Sequence, residues 1–408
     1  MLDVERIRKD FPILDSEVNG QKLIYLDNAA TTQLPECVLK RLDQHYRQDN
    51  ANVHRGIHLL SERSTAAFED ARETVKEFLN AKSIKEIIFT QGTTDSINTV
   101  AQGLRMQIQP GDHIVTTQLE HHSDFLPWQR LCKERNAVFH PIPCPDGNLD
   151  MDAFKEALSN RPKVVAVTHV SNLTGTVMPI RQLAAMAHEA GALFLVDGAQ
   201  GIRHDVVDVQ ELDCDFYCFS GHKILAPTGI GVLYGKEACL ELLEPARVGG
   251  GMVDVVGLEI STYGPLPTRL EAGTPNYAGA IGLAEALKYL THIGRNEIAV
   301  YEQELTEDAV RSLSALEGVH ILGTPAHRSG VVSFTLTDVH PYDAASVLDK
   351  LGVALRSGNH CAQTALAMFR EEVALRLSVA FYNTHEEIAA CCQAIQRTME
   401  MFAKWKKH

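Results

Sequence analysis

The chain has 408 residues, a formal net charge of −14 and 45% hydrophobic residues, which is typical of an acidic globular protein with two or three domains of about 150 residues each. The acidic balance argues against non-specific nucleic-acid binding, which depends on basic surface, but is compatible with a basic pocket for an anion. No apolar run approaches the roughly 18 residues that cross a bilayer, and the charged N-terminus lacks the apolar core of a secretory signal. We therefore expect a cytoplasmic protein without nucleic-acid or membrane partners.

The nine cysteines are scattered, and none forms a CxxC pair. This spacing is typical neither of a disulfide framework nor of a zinc site, so we expect no metal. In a reducing compartment the thiols stay free, and most serve as small buried hydrophobic side chains. A cysteine proposed to react must therefore lie in a special setting.

The first two thirds of the chain alternate between strand-like and helical segments. A short apolar run at 23–26 ends in a polar turn at 27–32, and a helix is predicted over 61–79. Helices over 94–104 and 180–190 separate later strands. Strands are predicted at 86–90, 112–116, 163–168, 192–196, 214–219 and 230–234. This alternation predicts an α/β fold with a mainly parallel sheet of about seven strands, covered on both faces.

The remainder of the chain has a different pattern, typical of a smaller α+β domain. A long helix from about 295 precedes strands and helices in irregular order. The strands are predicted at 319–322, 331–336, 353–356 and 375–380, with a helix over 342–351 and another at the C-terminus. We predict a large domain over 20–290, and a small domain that joins 1–19 to 291–408.

Polar groups follow the strand that ends at Ser220. His222 and Lys223 come next, in a loop rich in glycine and proline, which is where α/β proteins bind ligands. A lysine beside a buried strand either forms a Schiff base with a carbonyl cofactor or extends its ammonium to solvent. This stretch alone leaves both interpretations open.

Two further strand ends carry candidate binding groups. Thr93 and Thr94 open a helix whose free amides suit a phosphate, although an ordinary N-cap explains them equally well. His121 precedes a second histidine, but no third metal ligand follows at a useful spacing. The His121 imidazole either lies on an aromatic ring or is a structural histidine.

Asp197 ends an apolar strand, and Asn172 follows the strand before it. A buried carboxylate needs a partner. A protonated pyridine nitrogen is one such partner; alternatively, Asp197 caps the next helix or pairs with an arginine. Together, a phosphate seat, an imidazole, a carboxylate and a lysine at successive strand ends are the groups that pyridoxal phosphate requires.

The small domain supplies two arginines and a cysteine. Arg376 lies in an apolar strand, and Arg356 begins a short polar loop that contains Cys361. A guanidinium suits a carboxylate clamp, although structural ion pairs are common. A nearby cation would favour the Cys361 thiolate.

These motifs resemble those of the cysteine desulfurases in the class V aminotransferase group. The resemblance covers nearly the whole chain and is closest to the branch with the Suf-system desulfurases and the selenocysteine lyases. The motifs that carry it are Ser220-Gly221-His222-Lys223, Asp197-Gly198-Ala199-Gln200, Arg356-Ser357-Gly358-Asn359-His360-Cys361, Asn52-Val53-His54-Arg55-Gly56 and Glu271-Ala272-Gly273-Thr274-Pro275-Asn276.

The resemblance implies a homodimer of fold type I that binds pyridoxal 5′-phosphate and acts on L-cysteine or L-selenocysteine. Lys223 would hold the cofactor and move the Cα proton, and Cys361 would accept the sulfur and pass it to a small acceptor protein for iron–sulfur assembly or another sulfur-transfer route. Arg376 would clamp the substrate carboxylate with Arg356 nearby. The other implied cofactor contacts are Thr93, Thr94, His121, Asn172, Asp197, Gln200, Ser220, His222 and, from the neighbouring subunit, Thr274, with Asn172 also near the substrate.

Selenocysteine lyase is the nearest alternative, because it shares every motif. Aminotransfer, a kynureninase-like hydrolysis and an inactive scaffold are disfavoured by Cys361 and by the intact Lys223 and Asp197. Two positions depart from the family pattern: Asn359 stands where some relatives have histidine, and Thr364 where many have proline. Both lie beside Cys361, so they bear on how its loop is held.

Overall fold

A computed structural model describes residues 2–405, and a seven-stranded mixed sheet forms its centre. Six strands run in one direction, while Gly231–Gly235 is antiparallel to both of its neighbours. In order across the sheet, the strands are Ile87–Thr90, Gly231–Gly235, Phe216–Ser220, Leu193–Asp197, Val164–Thr168, His113–Thr117 and Val138–Ile142. The predicted α/β fold is confirmed, and the six predicted strands lie within about two residues of their expected positions.

The edge strand Val138–Ile142 was not predicted. His140 and Pro141 interrupt its apolar pattern, and a proline cannot donate a ladder hydrogen bond. The strand pairs with His113–Thr117 alone, so an edge position tolerates the missing donor.

Helices cover both faces of this sheet. Their ends follow local signals: Leu59–Leu79 stops at Asn80 in the left-handed region at φ 54°, and Ile180–Glu189 stops just before Gly191 at φ 80°, as its sequence predicts. The α-helices are Val4–Arg8, Glu36–Gln44, Leu59–Leu79, Thr93–Gly103, His122–Arg135, Met151–Ser159, Ile180–Glu189, Gly201–His204, Val209–Leu212, Glu237–Leu240, Tyr277–Ile293, Arg295–Ser314, Pro341–Lys350, Gln363–Met368 and His385–Trp405.

A second, antiparallel sheet of four strands lies in the C-terminal part of the chain. Its order is Val319–Ile321, Val331–Leu336, Ala374–Ser378 and Arg356–Gly358. The prediction of one strand over 353–356 was wrong. Val353–Ala354 pairs in parallel with Ile24–Tyr25, and the chain then changes partner, so that Arg356 lies opposite Arg376. Two short hairpins complete the strands, Glu17–Val18 with Gln21–Lys22 and Val253–Val256 with Ser261–Tyr263.

The core consists of three apolar clusters. Alternate residues of the central strands enter the two clusters on opposite faces of the large sheet, with Val165 and Val167 in one and Val164 and Ala166 in the other. A third cluster packs the small sheet against the helices Arg295–Ser314 and His385–Trp405. Across residues 2–405, every helix is too short or too polar to cross a bilayer. All nine cysteines are free thiols.

Candidate active site

One cavity of about 280 Å³ lies where the carboxyl ends of the central strands face the small sheet. Thr168, Asp197 and Ser220, the last residues of three neighbouring strands, line it together. Every predicted site residue except Thr274 lines this same cavity: Thr93, Thr94, His121, Asn172, Asp197, Gln200, Ser220, His222, Lys223, Arg356, Cys361 and Arg376. Thr274 lines a second cavity with Gln91, Asp95 and Asn276.

The N-terminus of helix Thr93–Gly103 forms one wall of the cavity. The Thr93 amide donates to Ser220 Oγ at 2.8 Å, and the Thr93 and Ser220 hydroxyls share a second bond of 2.8 Å. Gly92 permits this approach, because its φ is 150° and an added Cβ would lie 3.1 Å from Ser220 Oγ. The positive dipole end and the hydroxyl groups at such a helix N-terminus favour an anion. Burial lowers the pKa of His222, on the same wall, to about 4.

The ring of His121 is held in one tautomer. Its Nδ1 accepts from the Ser123 amide at 3.1 Å, so the proton lies on Nε2. The Ser123 hydroxyl lies 3.0 Å from the same Nδ1 and 2.6 Å from Thr94 Oγ1, which links the imidazole to the helix N-terminus. Burial, assisted by the positive charge of Lys223, lowers the pKa of His121 to about 3. The cavity therefore presents a neutral imidazole ring.

Asp197 places a buried carboxylate at the end of the cavity. Its Oδ1 accepts a hydrogen bond from the Ala199 amide at 2.9 Å. An amide of the following segment therefore satisfies one of the two carboxylate oxygens. Burial raises the pKa of Asp197, while the nearby Lys223 opposes that shift. Gln200 lies beside it and donates from Nε2 to the Ala29 carbonyl at 2.8 Å.

Two further carboxyl groups lie behind Asp197, and sequence reasoning missed both. Glu120 and Asp124 are fully buried, and burial raises the pKa of each, that of Glu120 to about 8. Thr117 Oγ1 donates to Glu120 Oε1 at 2.7 Å, and Trp128 Nε1 donates to Asp124 Oδ1 at 2.8 Å. The other two oxygens, Glu120 Oε2 and Asp124 Oδ2, are buried without a hydrogen-bond partner among residues 2–405. Like charges at close range in the interior disfavour the doubly ionised pair, so the charge of Glu120 also raises the pKa of Asp124. Only the tertiary fold shows that these residues are buried.

The Lys223 amine makes no hydrogen bond to any residue in the range 2–405. Burial lowers its pKa to about 8; Arg376 and Arg356 act in the same direction, whereas Asp197 opposes them. The carbonyl of His222 accepts from the Thr32 amide at 2.8 Å. The polar turn at 27–32 thus supports the lysine loop, a role that its sequence did not reveal.

Arg376 and Asn172 form the opposite side of the cavity. Arg376 donates from Nη1 to the Asn172 carbonyl at 3.1 Å and from Nη2 to Asp27 Oδ1 at 3.2 Å. Asn172 donates from Nδ2 to the His360 carbonyl at 2.7 Å. Arg376 Nε and Asn172 Oδ1 are buried without a hydrogen-bond partner among residues 2–405. Buried polar atoms of this kind are expensive unless a ligand satisfies them.

Cys361 is half-buried and lies in a strained turn on the rim. His360 and Cys361 both adopt the left-handed region, at φ 51° and 53°. Each such residue costs about 1–2 kcal/mol, so the surroundings must hold the turn in place. Cys218, in the middle of the strand Phe216–Ser220, is in contrast buried in the core.

These groups fit pyridoxal phosphate. A helix N-terminus with hydroxyls suits its phosphate, a neutral imidazole suits its ring, a buried carboxylate suits its pyridinium nitrogen, and an amine with a lowered pKa suits its aldehyde. The fold and the cavity therefore define a pyridoxal-phosphate enzyme of fold type I.

Comparison with known proteins gives the family. The aminotransferase class-V family matches residues 24–391, and the chain belongs to this family. It is 47% identical to a probable cysteine desulfurase of Halalkalibacterium halodurans over 98% of this chain and 99% of that protein. A probable cysteine desulfurase of Staphylococcus aureus is 48% identical over 98% of both chains. The solved apo cysteine desulfurase of Thermococcus onnurineus superimposes with a TM-score of 0.93 at 39% identity, over 98% of both chains.

Proposed function

We propose that this protein is a pyridoxal-phosphate-dependent cysteine desulfurase, which converts L-cysteine to L-alanine and leaves the sulfur on Cys361. The observation that carries the proposal is that Cys361 lines the same cavity as Lys223 and Asp197. A thiol serves an aminotransferase no purpose at this place, whereas transfer of sulfur needs a soft nucleophile beside the amino-acid site.

The cofactor would be held by the groups described above. Ser220, His222 and the threonines Thr93 and Thr94 would seat its phosphate, and Asp197 would hold the proton on its ring nitrogen. His121 would lie on the ring, with Asn172 and Gln200 at its edge. When bound, pyridoxal phosphate supplies an electron sink that makes the Cα proton of an amino acid acidic.

The substrate would be positioned by Arg376. Its Nε is the buried donor without a partner, and a carboxylate would satisfy it in a bidentate arrangement. Arg356 lies opposite Arg376 in the small sheet and adds a second positive charge. The Lys223 amine, whose pKa of about 8 lets it both accept and donate, would move the proton at Cα.

Cys361 would then complete the reaction. Its thiolate forms an S–S bond to the substrate sulfur while the Cβ–S bond breaks, and the electron pair of that bond remains on carbon. Protonation of this carbon gives alanine, and the enzyme holds a Cys361 persulfide. L-selenocysteine would react in the same way, and its turnover in the same assay measures the preference between the two.

The test compares Cys361→Ala with Cys239→Ala, which removes another half-buried thiol away from the cavity. We expect the first variant to keep the visible absorbance of the bound cofactor and to lose alanine formation from L-cysteine. The second should keep both. Full alanine production by Cys361→Ala would overturn the proposal.

We also propose that the enzyme is a homodimer. Two apolar segments are left exposed, the hairpin that carries Ile260 (78% exposed) and the loop with Ile57 (99% exposed). A soluble protein seldom exposes large apolar side chains in this density unless a partner covers them. Thr274, which lines the second cavity, would reach the phosphate of the neighbouring subunit. Sedimentation of the wild type and of Ile260→Asp tests this, with a dimer expected for the first and a monomer for the second.

The sulfur would leave Cys361 through a small acceptor protein. The turn that carries Cys361 is short and only half-exposed, so a free thiol in solution has limited access. Without an acceptor, alanine should form as a burst of one equivalent per site and then slowly. A steady rate that no acceptor or reductant increases would contradict this.

We infer, finally, that the chain divides into a large domain over 20–290 and a small domain of 1–19 with 291–408. The two separate sheets and the separate apolar cluster of the small sheet support this division. Limited proteolysis should cut first near Gly294, between the helices Tyr277–Ile293 and Arg295–Ser314, and an early cut inside the central sheet would contradict the division.

A further inference from the structure

The turn that carries Cys361 is fastened to the segment that carries His121. The His122 amide donates to the Cys361 carbonyl at 2.8 Å, and the His122 ring accepts at Nε2 from the Gln363 amide at 3.3 Å. Thr364 Oγ1 donates to the Gln118 carbonyl at 3.1 Å. Three hydrogen bonds therefore join 361–364 to 118–122.

The two segments that these hydrogen bonds join differ in stability: the turn at 360–361 is strained, whereas the segment 118–122 is well supported. On one side, two successive left-handed residues, His360 and Cys361, would relax to other conformations if the turn were free. On the other side, the segment 118–122 is rigid, because Gln118 donates to the Ile142 carbonyl at 2.9 Å and Leu119 donates to Thr117 Oγ1 at 3.1 Å. The strained turn is thus attached to a fixed support.

The imidazole ring of His122 is suited to accept a hydrogen bond at Nε2. Burial lowers its pKa, which keeps the imidazole neutral and leaves Nε2 able to accept from the Gln363 amide. Thr364 is one of the two positions at which the sequence departs from the family pattern that it resembles. A proline there could not donate, so the bond to Gln118 depends on the hydroxyl of this chain.

We propose that His122 and Thr364 are positioning residues that latch the Cys361 turn to the segment bearing His121, and so hold the thiol at the substrate sulfur. The effect on turnover rests on the proposed function, but the effect on the turn does not. Neither side chain lines the cavity, so both act through Cys361.

The test uses two matched pairs in the cofactor-bound enzyme. His122→Phe removes the acceptor and keeps a ring, whereas His122→Gln keeps an acceptor at similar reach. Thr364→Val removes the hydroxyl, and Thr364→Ser keeps it. The rate of Cys361 alkylation by iodoacetamide is followed by peptide mass spectrometry. It should rise about threefold to tenfold in His122→Phe and Thr364→Val and stay near the wild-type rate in His122→Gln and Thr364→Ser.

In the same two latch-breaking variants, kcat should fall by a similar factor while KM for L-cysteine stays nearly constant, because Arg376 is untouched. Unchanged alkylation in both His122→Phe and Thr364→Val would overturn the latch. If the two variants are alkylated faster but the wild-type enzyme has no desulfurase activity, the proposed function is overturned and the latch is supported. If His122→Phe fails to fold, the threonine pair decides.

Discussion

Arg376 Nη2 donates to Asp27 Oδ1 at 3.2 Å, and this contact joins the small sheet to the polar turn beneath Lys223. The carbonyl of Asn172 and the carboxylate of Asp27 each accept one N–H, from Nη1 and Nη2 of Arg376, which fixes the plane of the guanidinium and leaves a second N–H on each terminal nitrogen. Its buried Nε remains for a ligand. The arginine is therefore oriented before substrate arrives.

Arg376→Lys should raise KM for L-cysteine by about tenfold or more, since an ammonium cannot reproduce the planar, bidentate contact. The bound cofactor should keep its visible absorbance. Arg130→Lys is the matched control, because Arg130 is an exposed residue paired with Glu134 on a surface helix. A change in KM below twofold for Arg376→Lys would show that another group binds the carboxylate.

Lys223 should capture the cofactor at a lower pH than an ordinary lysine. Only the neutral amine adds to an aldehyde, and burial brings the pKa of Lys223 from 10.5 to about 8. After removal of the cofactor, the rate at which added pyridoxal phosphate binds should rise with pH and level off above about 8. Lys223→Arg should abolish the absorbance change. A rate that still climbs steeply above pH 9 would contradict the lowered pKa.

Glu120→Gln should gain stability relative to the wild type as pH rises from 5 to 8. Burial raises the pKa of Glu120 from 4.5 to about 8, so in this range the folded protein holds a proton that the unfolded chain releases. Wild-type stability therefore falls by up to about 1.4 kcal/mol per pH unit from this group, and glutamine removes that loss. The amide of the introduced glutamine can also donate to the buried Asp124 carboxyl group, whose Oδ2 has no hydrogen-bond partner among residues 2–405.

Urea unfolding at pH 5 and pH 8 measures the effect. Glu134→Gln is the control, because hydrogen bonding to Arg130 lowers the pKa of this exposed glutamate, so no such trend is expected between those pH values. An equal stability difference at both pH values for Glu120→Gln would contradict the raised pKa of Glu120.

The sequence determined the fold class and the composition of the cavity. Apolar runs that end in polar residues placed Asp197, Ser220 and Lys223 at strand ends, and parallel strands bring their carboxyl ends to one edge. Arg376 and Cys361, in the C-terminal part of the chain, were recognised as candidates from their residue types and motifs. These signals are local, and local patterns can be read along a chain.

The tertiary structure decided what surrounds those groups. Arg376 is held by Asp27, which lies 349 residues earlier in the chain. The burial of Glu120 and Asp124 likewise depends on segments that are far apart in sequence. The change of partner between Val353–Ala354 and Arg356–Gly358 and the attachment of the Cys361 turn to His122 are likewise contacts between distant segments. Burial and hydrogen-bond partners arise from packing, which no local pattern encodes.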